Sequence, residues 1–572
     1  MLDHKRSRRI FNALTLFCVS AMAALTACGG GGSAAPATVS TPANPTTPTA
    51  PTTPTTPTTP TTPTTPATPT TGTDVVTYKN DLQRTGQNIT ESVLTTANVN
   101  MSTFGLLRNL QVDGKVDAQP LYLSKLTVGG ASHNVVFVAT ENDSVYAFDS
   151  DSGVTLWTKS LLGSGETTSD SHGCNQVTPQ IGITATPVID RNAGAHGALF
   201  VVAMSKDASG NYHQRLHALD VTTGAEVTSN PQEITATFLS TTFAPGQYEE
   251  RAALLLLNGT LYTSWTSHCD IAPYGGWVLS FSENTLAPIG ALNVALGATG
   301  SGLASQGPAI WMSGDGPAAD AAGNIYLLTG NGRFETTLGV NGFPSGGDYG
   351  NSFVKISTSG ALAVSDYFAQ WNDVTESAND ADLGSGGLVL LPDLTDGSGT
   401  VRHLAVGAGK DGAIYVVNRD SMGKYMPTTN NIWQELDGAL AGGVWSTPAY
   451  FNGVVYYGPV GGNLKAFAIT NALVGATPAS QSATQFAYPG TSPVISANGT
   501  ANAIVWTYEN ATTAVLHAYD ATNLAHELYN SNQAANARDQ FGAGNKFIAP
   551  MVADGKVFVA STSSVGVFGL LQ

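Results

Sequence analysis

Charged residues, cysteines and long apolar runs are all scarce in this sequence. Only 11% of its 572 residues are charged, whereas 63 are glycine, a composition typical of short strands joined by tight turns. No amphipathic pattern of helical period extends beyond about three turns, and no run of roughly 18 apolar residues follows residue 30. The sequence therefore predicts a globular part that is almost entirely β and has no membrane-spanning helix.

Several motifs of known chemistry are missing as well. The chain contains no Gly-x-Ser-x-Gly, no His-Glu-x-x-His and no phosphate-binding loop, so nothing specific supports a hydrolase or a nucleotide-dependent enzyme. The formal net charge of −17 disfavours nucleic acid as a partner, because an acidic surface repels phosphates. We expect a monomer whose partners are neutral or cationic.

Residues 1–27 have the pattern of an export signal. A basic KRSRR is followed by an apolar run from Ile10 to Leu25 and by small residues before Cys28. LTAC resembles the bacterial lipobox, which implies that Cys28 is lipidated and becomes the mature N-terminus. Gly29 after the cysteine implies sorting to the outer membrane. The alternative interpretation is an ordinary signal peptide with an incidental cysteine.

Residues 28–73 form a Pro/Thr-rich segment built largely from repeated Pro-Thr-Thr. It has no apolar cluster and no charge, so it cannot form a core. Proline at every third position favours polyproline II, which extends about 3.1 Å per residue. We predict a disordered, lipid-anchored linker that holds a domain of residues 74–572 away from the outer membrane, on its periplasmic or its surface side.

A unit of four short strands recurs through that domain. In its clearest copy, Asn134–Trp157, NVVFVAT, SVYAFD and VTLW are separated by turn signals. Eight copies are recognisable, and each follows a candidate inner strand: AQPLYL, ATPVID, RAALLL, DGPAAD, GSGGLVLLP, WSTPAYF, TSPVIS and FIAPMVA. One such sheet cannot shield both apolar faces, whereas a ring of them can. The sequence therefore predicts an all-β fold, an eight-bladed β-propeller of four-stranded antiparallel blades.

The segments TYKNDLQRTGQN, VLTTANVN and FGLLRNLQVDGKVDAQPLYL lead up to the first full copy, and the leading strand in them has no blade of its own. We predict that it completes the last blade by pairing with KVFVAS or VGVFGLL near the C-terminus. Closure of this kind removes the exposed edges of the ring.

Two cysteines remain in the predicted domain, Cys174 and Cys269, both in loop contexts. An even pair in an exported protein predicts one disulfide, which would join two neighbouring blades. The alternative is two free, buried thiols.

The repeated pattern Tyr-Ala-Phe-Asp-x-x-x-Gly-x-x-x-Trp resembles the quinoprotein alcohol dehydrogenase-like family of eight-bladed propellers that bind pyrroloquinoline quinone (PQQ). The resemblance covers about Thr77–Leu571 and is strongest at Val145–Trp157, Leu216–Glu226 and Lys410–Asp420. Stretches such as GITATPVID and SHCDIAPYGGW are similar to a bacterial lipoprotein subgroup. The resemblance implies either PQQ- and calcium-dependent oxidation of alcohols or sugars, or protein binding, as in the scaffold of the outer-membrane barrel assembly machine.

A quinoprotein dehydrogenase needs an aromatic residue to stack on the cofactor, cations for its three carboxylates, oxygen ligands for calcium and a carboxylate base. Candidates near the inner strands are Trp311 and Trp445 for stacking, Arg251, Lys410 and Lys546 for the cofactor carboxylates, Asp380 and Asp382 for calcium, and Asp315 as catalytic base. A loop segment around Cys269 also concentrates polar and aromatic residues, which predicts a ligand rim of His268, Asp270, Tyr274 and Trp277.

Each candidate also has a structural interpretation. A tryptophan at a blade end commonly packs between blades, as we predict for Trp157. An aspartate such as Asp149 in an Asp-x-x-x-Gly turn accepts its own backbone N–H bonds, and the predicted rim could be a structural loop anchored by the disulfide. The chain also lacks the adjacent Cys-Cys pair and the Cys-x-x-Cys-His of many alcohol-oxidising quinoproteins.

Taken together, these patterns favour an exported lipoprotein whose propeller binds a ligand or a protein at the cell envelope. A PQQ- and calcium-dependent alcohol or sugar dehydrogenase is the first alternative. An outer-membrane assembly scaffold is the second.

Overall fold

Eight small antiparallel sheets of four strands each are arranged in a ring around a central channel. The computed structural model describes residues 74–297 and 307–571. The predicted fold class, an eight-bladed all-β propeller, is therefore confirmed. The predicted signal peptide, Cys28 and the linker lie outside the described residues.

Each of the first four blades runs from an inner strand to an outer strand. Blade 1 consists of Leu121–Val128, Ala131–Ala139, Ser144–Asp149 and Thr155–Ser160. Blade 2 consists of Val188–Asp190, Ala198–Lys206, Tyr212–Asp220 and Gln232–Glu233. Blade 3 consists of Leu255–Leu257, Thr260–Ser264, Trp277–Ser282 and Pro288–Asn293. Blade 4 consists of Ala318–Ala319, Ile325–Leu328, Ser352–Ser357 and Ala363–Ala369.

The last four blades follow the same order. Blade 5 consists of Leu388–Leu390, Leu404–Ala408, Ile414–Asn418 and Gln434–Leu436. Blade 6 consists of Ala449–Phe451, Val454–Tyr457, Gly462–Thr470 and Ser480–Phe486. Blade 7 consists of Val494–Asn498, Ala501–Glu509, Val515–Asp520 and Glu527–Asn530. Blade 8 consists of Met551–Ala553, Lys556–Ala560, Ser564–Leu570 and Phe104–Gln111.

The remaining elements are short. Additional strands are Gln87–Asn88, Thr167–Asp170, Gln180–Ile181, Thr237–Phe238, Thr241–Thr242, Tyr248–Glu249, Thr266–Ser267, Leu394–Thr395, Val401–Arg402 and Leu473–Val474. The helical segments are the α-helix Asp373–Ala378 and the 3₁₀ turns Pro245–Gln247, Met312–Gly314, Leu383–Ser385, Ser531–Gln533 and Ala535–Ala537. No helix within the described ranges is long and apolar enough to cross a bilayer.

The two ends of the domain close the ring together. Phe104–Gln111 pairs antiparallel with Ser564–Leu570 and forms the outer strand of blade 8. The predicted closure is therefore confirmed, and the partner of Phe104–Gln111 is VGVFGLL rather than KVFVAS. Because each blade then has a neighbour on both sides, every sheet buries both apolar faces.

Trp157 illustrates how one blade packs against the next. Its indole Nε1 donates a hydrogen bond to the carbonyl of Val221, 3.0 Å away, beyond the last residue of the third strand in blade 2. The ring also lies against Gly224, where a Cβ would come within 2.6 Å of the indole. The predicted inter-blade role of Trp157 is confirmed. Asp149 likewise accepts N–H bonds from Asp151 and Ser152 in its own turn.

The segment 75–88 lies inside the channel and circles it. Its hydrogen bonds reach the inner strand, or the residue next to it, of each blade in order: Tyr122, Ile189, Leu254, Ala319, Leu390, Tyr450, Ile495 and Val552. Two of its basic side chains, Lys79 and Arg84, are fully buried, and Lys79 Nζ donates to the carbonyls of Pro448 and Pro493. The segment therefore fills the channel at this level and leaves a blind cavity above it.

The chain enters the described region on the face away from that cavity. Asp74 accepts a hydrogen bond from the backbone N–H of Ser124, 2.7 Å away, and forms an ion pair of 2.8 Å with Arg191. Ser124 lies past the start of the inner strand of blade 1, and Arg191 follows the end of the inner strand of blade 2. The residues before Asp74 thus join the domain at the far ends of the inner strands.

Candidate functional site

A cavity of about 880 Å³, including its open mouth, occupies the channel above the segment 75–88. Its lining comes from two kinds of loop, those that lead into the inner strands and those that join the second and third strands of a blade. Antiparallel pairing brings these loops to the same face of every blade, and all eight blades contribute.

Most of the predicted cofactor and metal residues meet in this cavity. Its walls include Arg251, Trp311, Lys410, Trp445, Lys546, Asp380 and Asp382, together with Asp270 from the predicted rim. These residues share a position within the repeat. Each stands shortly before an inner strand or in the loop between the second and third strands of a blade. What each residue binds there stays a prediction.

Asp315 does not line the cavity. It is fully buried, and its carboxylate accepts backbone N–H bonds from Leu388 at 2.9 Å and from Gly316 at 3.0 Å. Burial raises the pKa of Asp315 to about 7, against the opposing effect of Arg84. This position gives Asp315 a role in joining blades 4 and 5, and the cavity contains other carboxylates that are better placed to act as a base.

Three of the four predicted rim residues are buried behind the cavity wall. Tyr274 donates its hydroxyl to Asp270 Oδ1 at 2.9 Å, Trp277 lies in the core between blades 2 and 3, and His268 stacks on His172 with ring centroids 3.9 Å apart. Only Asp270 reaches the cavity. The segment therefore forms part of the cavity wall and is held by buried contacts behind it, which matches the structural interpretation of this loop.

A disulfide between Cys174 and Cys269 holds that wall and confirms the predicted pairing. It joins a loop before the inner strand of blade 2 to a loop of blade 3, with a Cα–Cα distance of 5.7 Å. Gln176 and Asp270, close to the two cysteines in the chain, both line the cavity. Burial and the neighbouring His268 lower the pKa of His172 to about 4, so the stacked histidine beside the disulfide is neutral at pH 7.

Four half-exposed aromatic rings form a connected wall. Trp311 contacts Phe547 with ring centroids 5.9 Å apart, Phe547 contacts Tyr488 at 6.3 Å, and Tyr488 contacts Trp445 at 5.9 Å. Phe547 has a φ of 66°, a conformation that is unfavourable for a bulky residue and that is found preferentially at functional sites. The contact between Trp311, before blade 4, and Phe547, before blade 8, spans the channel.

Tyr488 and Phe547 were not among the predicted residues. Phe547 could have been found by aligning the repeats, because WSTP and FIAP place Trp445 and Phe547 three residues before the proline of an inner strand. Tyr488 stands further from its proline, in the loop before blade 7, and has no equivalent signal.

Two cations lie next to Phe547, and neither forms an ion pair within 4 Å with a carboxylate of the described residues. The guanidinium of Arg251 is 5.2 Å and the ammonium of Lys546 is 5.4 Å from the ring centroid. Arg251 Nη1 donates to the carbonyl of Thr184 at 3.3 Å, whereas its Nη2 is buried and has no hydrogen-bond partner among the described residues. A buried donor of this kind is costly unless a partner satisfies it. Burial and the charge of Arg251 also lower the pKa of Lys546.

The third cation of the cavity, Lys410, is paired with the acidic residues predicted to bind calcium. Lys410 Nζ lies 2.6 Å from Asp380 Oδ1 and 3.3 Å from Asp382 Oδ2, and 5.9 Å from the ring centroid of Trp445. Asn331 donates its side-chain N–H to Asp380 at 2.8 Å and its backbone N–H to Asp382 at 2.5 Å.

A pair of carboxyl groups at the opposite wall has pKa values that shift in opposite directions. Burial disfavours the charge of Asp117, but Lys115 and Arg251 outweigh this effect and lower its pKa. Asp117 lies 3.2 Å from Lys115 Nζ and accepts a bond from Asn545 Nδ2 at 3.1 Å. Burial and the charge of Asp117 raise the pKa of Glu141 well above its ordinary value. These surroundings favour the charged form of Asp117, which lines the cavity, and disfavour the charged form of Glu141.

The eight four-stranded blades have the fold of the quinoprotein alcohol dehydrogenases. Phe104–Gln111 closes the ring, and the cavity lies at the start of the inner strands. No family model and no curated protein matches the sequence. Solved structures with this fold include the quinohemoprotein alcohol dehydrogenase of Comamonas testosteroni, with a TM-score of 0.57 and 15% identity over 87% of this chain and 80% of that one. A quinohemoprotein alcohol dehydrogenase of Pseudomonas putida HK5 has a TM-score of 0.55 and 14% identity over the same shares, 87% and 80%.

A europium-containing methanol dehydrogenase has a TM-score of 0.53 and 13% identity over 87% of this chain and 98% of that one. Identities this low establish the fold and nothing finer. The expected resemblance is confirmed at that level.

The cavity residues fit one of the two groups that this fold suggests. A planar quinone with three carboxylates suits an aromatic wall flanked by Arg251 and Lys546, and it would satisfy the orphaned Arg251 Nη2. Calcium does not fit. The ammonium of Lys410 already lies beside both Asp380 and Asp382 and offsets one of their two charges, and the described ranges contain no group of three or more His, Cys, Asp or Glu residues arranged to hold a metal ion.

Proposed function

We propose that the protein binds a planar, anionic, aromatic small molecule in the central cavity, with PQQ as the type of ligand. The observation that carries this proposal is the guanidinium of Arg251, which is buried against Phe547 with Nη2 unpartnered among the described residues. An anionic ligand group would supply the missing acceptor, and charge-assisted bonds of this kind are among the strongest in proteins.

The other cavity residues support the same ligand class. Lys546 lies on the same ring as Arg251, so the two cations together favour a ligand with more than one anionic group. Trp311, Trp445 and Tyr488 provide half-exposed aromatic surface on which a flat ring system could pack. A bound quinone would contribute two-electron redox chemistry, while the chain itself would bind and orient it and exclude water.

Equilibrium titration of the purified full-length chain with PQQ tests the proposal. Quenching of tryptophan fluorescence reports binding, because PQQ absorbs where Trp311 and Trp445 emit. Replacing Arg251 with methionine should weaken binding roughly 10- to 100-fold, the equivalent of losing about 1.5–3 kcal/mol of charge-assisted hydrogen bonding.

Arg402→Met is the matched control. Arg402 also lies over an aromatic ring, that of Trp433 at 4.8 Å, but it is remote from the cavity and its loss should leave the affinity unchanged. Equal affinity of wild type and Arg251→Met, or no saturable binding of PQQ by the wild type, would rule the proposal out.

A PQQ-dependent alcohol or sugar dehydrogenase is the second candidate function. The observation that favours it is the carboxylate of Asp117, which lines the cavity and whose charged form is favoured by Lys115 and Arg251. A carboxylate in this state could accept the proton of a substrate hydroxyl. Dye-linked oxidation of simple alcohols by the PQQ-loaded chain, and its loss in Asp117→Asn with PQQ affinity retained, would establish this activity; PQQ binding without turnover would leave the protein a binding module.

We also propose that the domain works at the cell envelope, anchored through lipid on Cys28. The basic and apolar residues before LTAC support this location. Metabolic labelling with a fatty acid and membrane fractionation of Cys28→Ser test the anchor. An assembly scaffold is the alternative role at this location, and recovery of outer-membrane barrel components with the intact chain would favour it.

A further inference from the structure

The loop pair around Lys410 differs from a site that binds a divalent cation. Asp382 is buried, and its carboxylate accepts the backbone N–H of Asn331 and faces the ammonium of Lys410. Asp380 accepts from both Lys410 and the Asn331 side chain. Three donors from the chain therefore already surround the two carboxylates.

A hard cation would have to displace these donors. Calcium takes six to eight oxygen ligands, but Asn331 presents its N–H₂ group to Asp380 rather than its oxygen. The ammonium of Lys410 lies within 3.3 Å of both carboxylates and also lines the cavity. It already places one positive charge between the two carboxylates, where a divalent cation would have to bind.

We infer that the cavity binds its anionic ligand without a divalent cation, because the ammonium of Lys410, held between Asp380 and Asp382, provides the positive charge at that wall. The inference rests on the proposed function for the identity of the ligand. Whether a divalent cation binds at Asp380 and Asp382 depends on residues of this chain alone and can be tested without any ligand.

Cation binding at Asp380 and Asp382 is tested with terbium, which resembles calcium in size and emits light when a nearby tryptophan is excited. The wild-type chain should show no saturable terbium luminescence that calcium competes away. Lys410→Met removes the ammonium at nearly constant length and should create such a site, with an affinity at least tenfold above any wild-type signal. Lys546→Met is the matched control: it removes a cavity lysine that has no ion pair with a carboxylate in the described part of the chain, so it should create none.

Saturable, calcium-competed terbium binding by the wild type that Asp380→Asn abolishes would overturn the inference. An equal gain in Lys410→Met and Lys546→Met would also contradict it, because the effect would then reflect net charge alone. If Lys410→Met fails to fold, the terbium titration of the wild type still tests the inference.

Titration with PQQ in EDTA and in millimolar calcium separates this inference from the proposed function. We expect the two dissociation constants to agree within about twofold. Binding that requires calcium would keep the proposed function and refute the inference. Absence of PQQ binding in both buffers would refute the proposed function, and the terbium result would then decide the inference by itself.

Discussion

At the scale of single residues, the direction of a side chain decides whether a carboxylate belongs to the site. Asp315 and Asp117 both precede an inner strand by a few residues, and the sequence pattern does not separate them. Asp315 turns into the packed channel and accepts backbone N–H bonds, whereas Asp117 faces the cavity. Proximity to an inner strand was therefore sufficient to predict the cations and aromatic residues, but the choice of base required the loop conformation.

His172 gives a prediction for pH dependence. Its pKa is lowered to about 4, first by burial and then by His268, below the ordinary value of about 6.5. The unfolded chain therefore binds more protons between pH 6.5 and pH 4, and this contribution to stability is complete above pH 6.5 and is lost as the pH falls toward 4. After a discount for the partial exposure of the ring, we expect about 1–2 kcal/mol.

Urea denaturation of wild type and His172→Phe across that pH range measures the effect. The phenylalanine keeps a flat ring against His268 and removes the titrating group. The free energy of unfolding should fall less steeply with decreasing pH in the variant, and identical slopes for the two proteins would argue against this assignment.

At the scale of elements, the disulfide and the segment 75–88 have no counterpart in most of the repeats. The inner strands were all predicted, because each copy of the repeat contains the same alternation of apolar residues and turns. The segment 75–88 was not predicted, since its contacts are mainly hydrogen bonds to backbone groups of successive blades and leave no periodic pattern in the sequence.

The disulfide should stabilise both the fold and the cavity wall. Cys174 and Cys269 are 95 residues apart in the chain, and the chain-entropy model assigns about 4–5 kcal/mol to a loop of that length. The double variant Cys174→Ser/Cys269→Ser should unfold at a lower temperature than the oxidised wild type and bind PQQ more weakly, because Gln176 and Asp270 would be less well fixed. Calorimetry and titration measure the two effects, with the wild type in reducing agent as a check on the variant; an unchanged Tm would contradict the prediction.

The segment 75–88 should be essential for the domain. Removing it breaks at least one hydrogen bond to every blade, and at about 1 kcal/mol each the loss is on the order of 8 kcal/mol, comparable to the stability of a whole domain. A chain that begins at residue 92 should therefore fail to fold cooperatively.

The matched control for this deletion is a chain that begins at residue 74, which keeps the segment intact. It should unfold at the wild-type temperature as followed by circular dichroism. Cooperative unfolding of the shorter chain near the wild-type Tm would show that the segment is dispensable.

At the scale of the whole molecule, the ring makes a shared site from loops that are far apart in the chain. Asp117 and Phe547 come from opposite ends of the domain, yet both line one cavity because Phe104–Gln111 closes blade 8. The repeat count predicted this architecture. It did not predict that Lys410 would form ion pairs with Asp380 and Asp382, since these contacts depend on the conformations of two loops of blade 5.

The crystal structure of the full-length chain grown with PQQ in a buffer containing EDTA tests the central claim most directly. We predict a flat ring system in the cavity, packed against the wall formed by Trp311, Phe547 and Tyr488, with a carboxylate on Arg251 and no metal ion beside it. An empty cavity at saturating PQQ, or PQQ bound elsewhere on the propeller, would contradict the account.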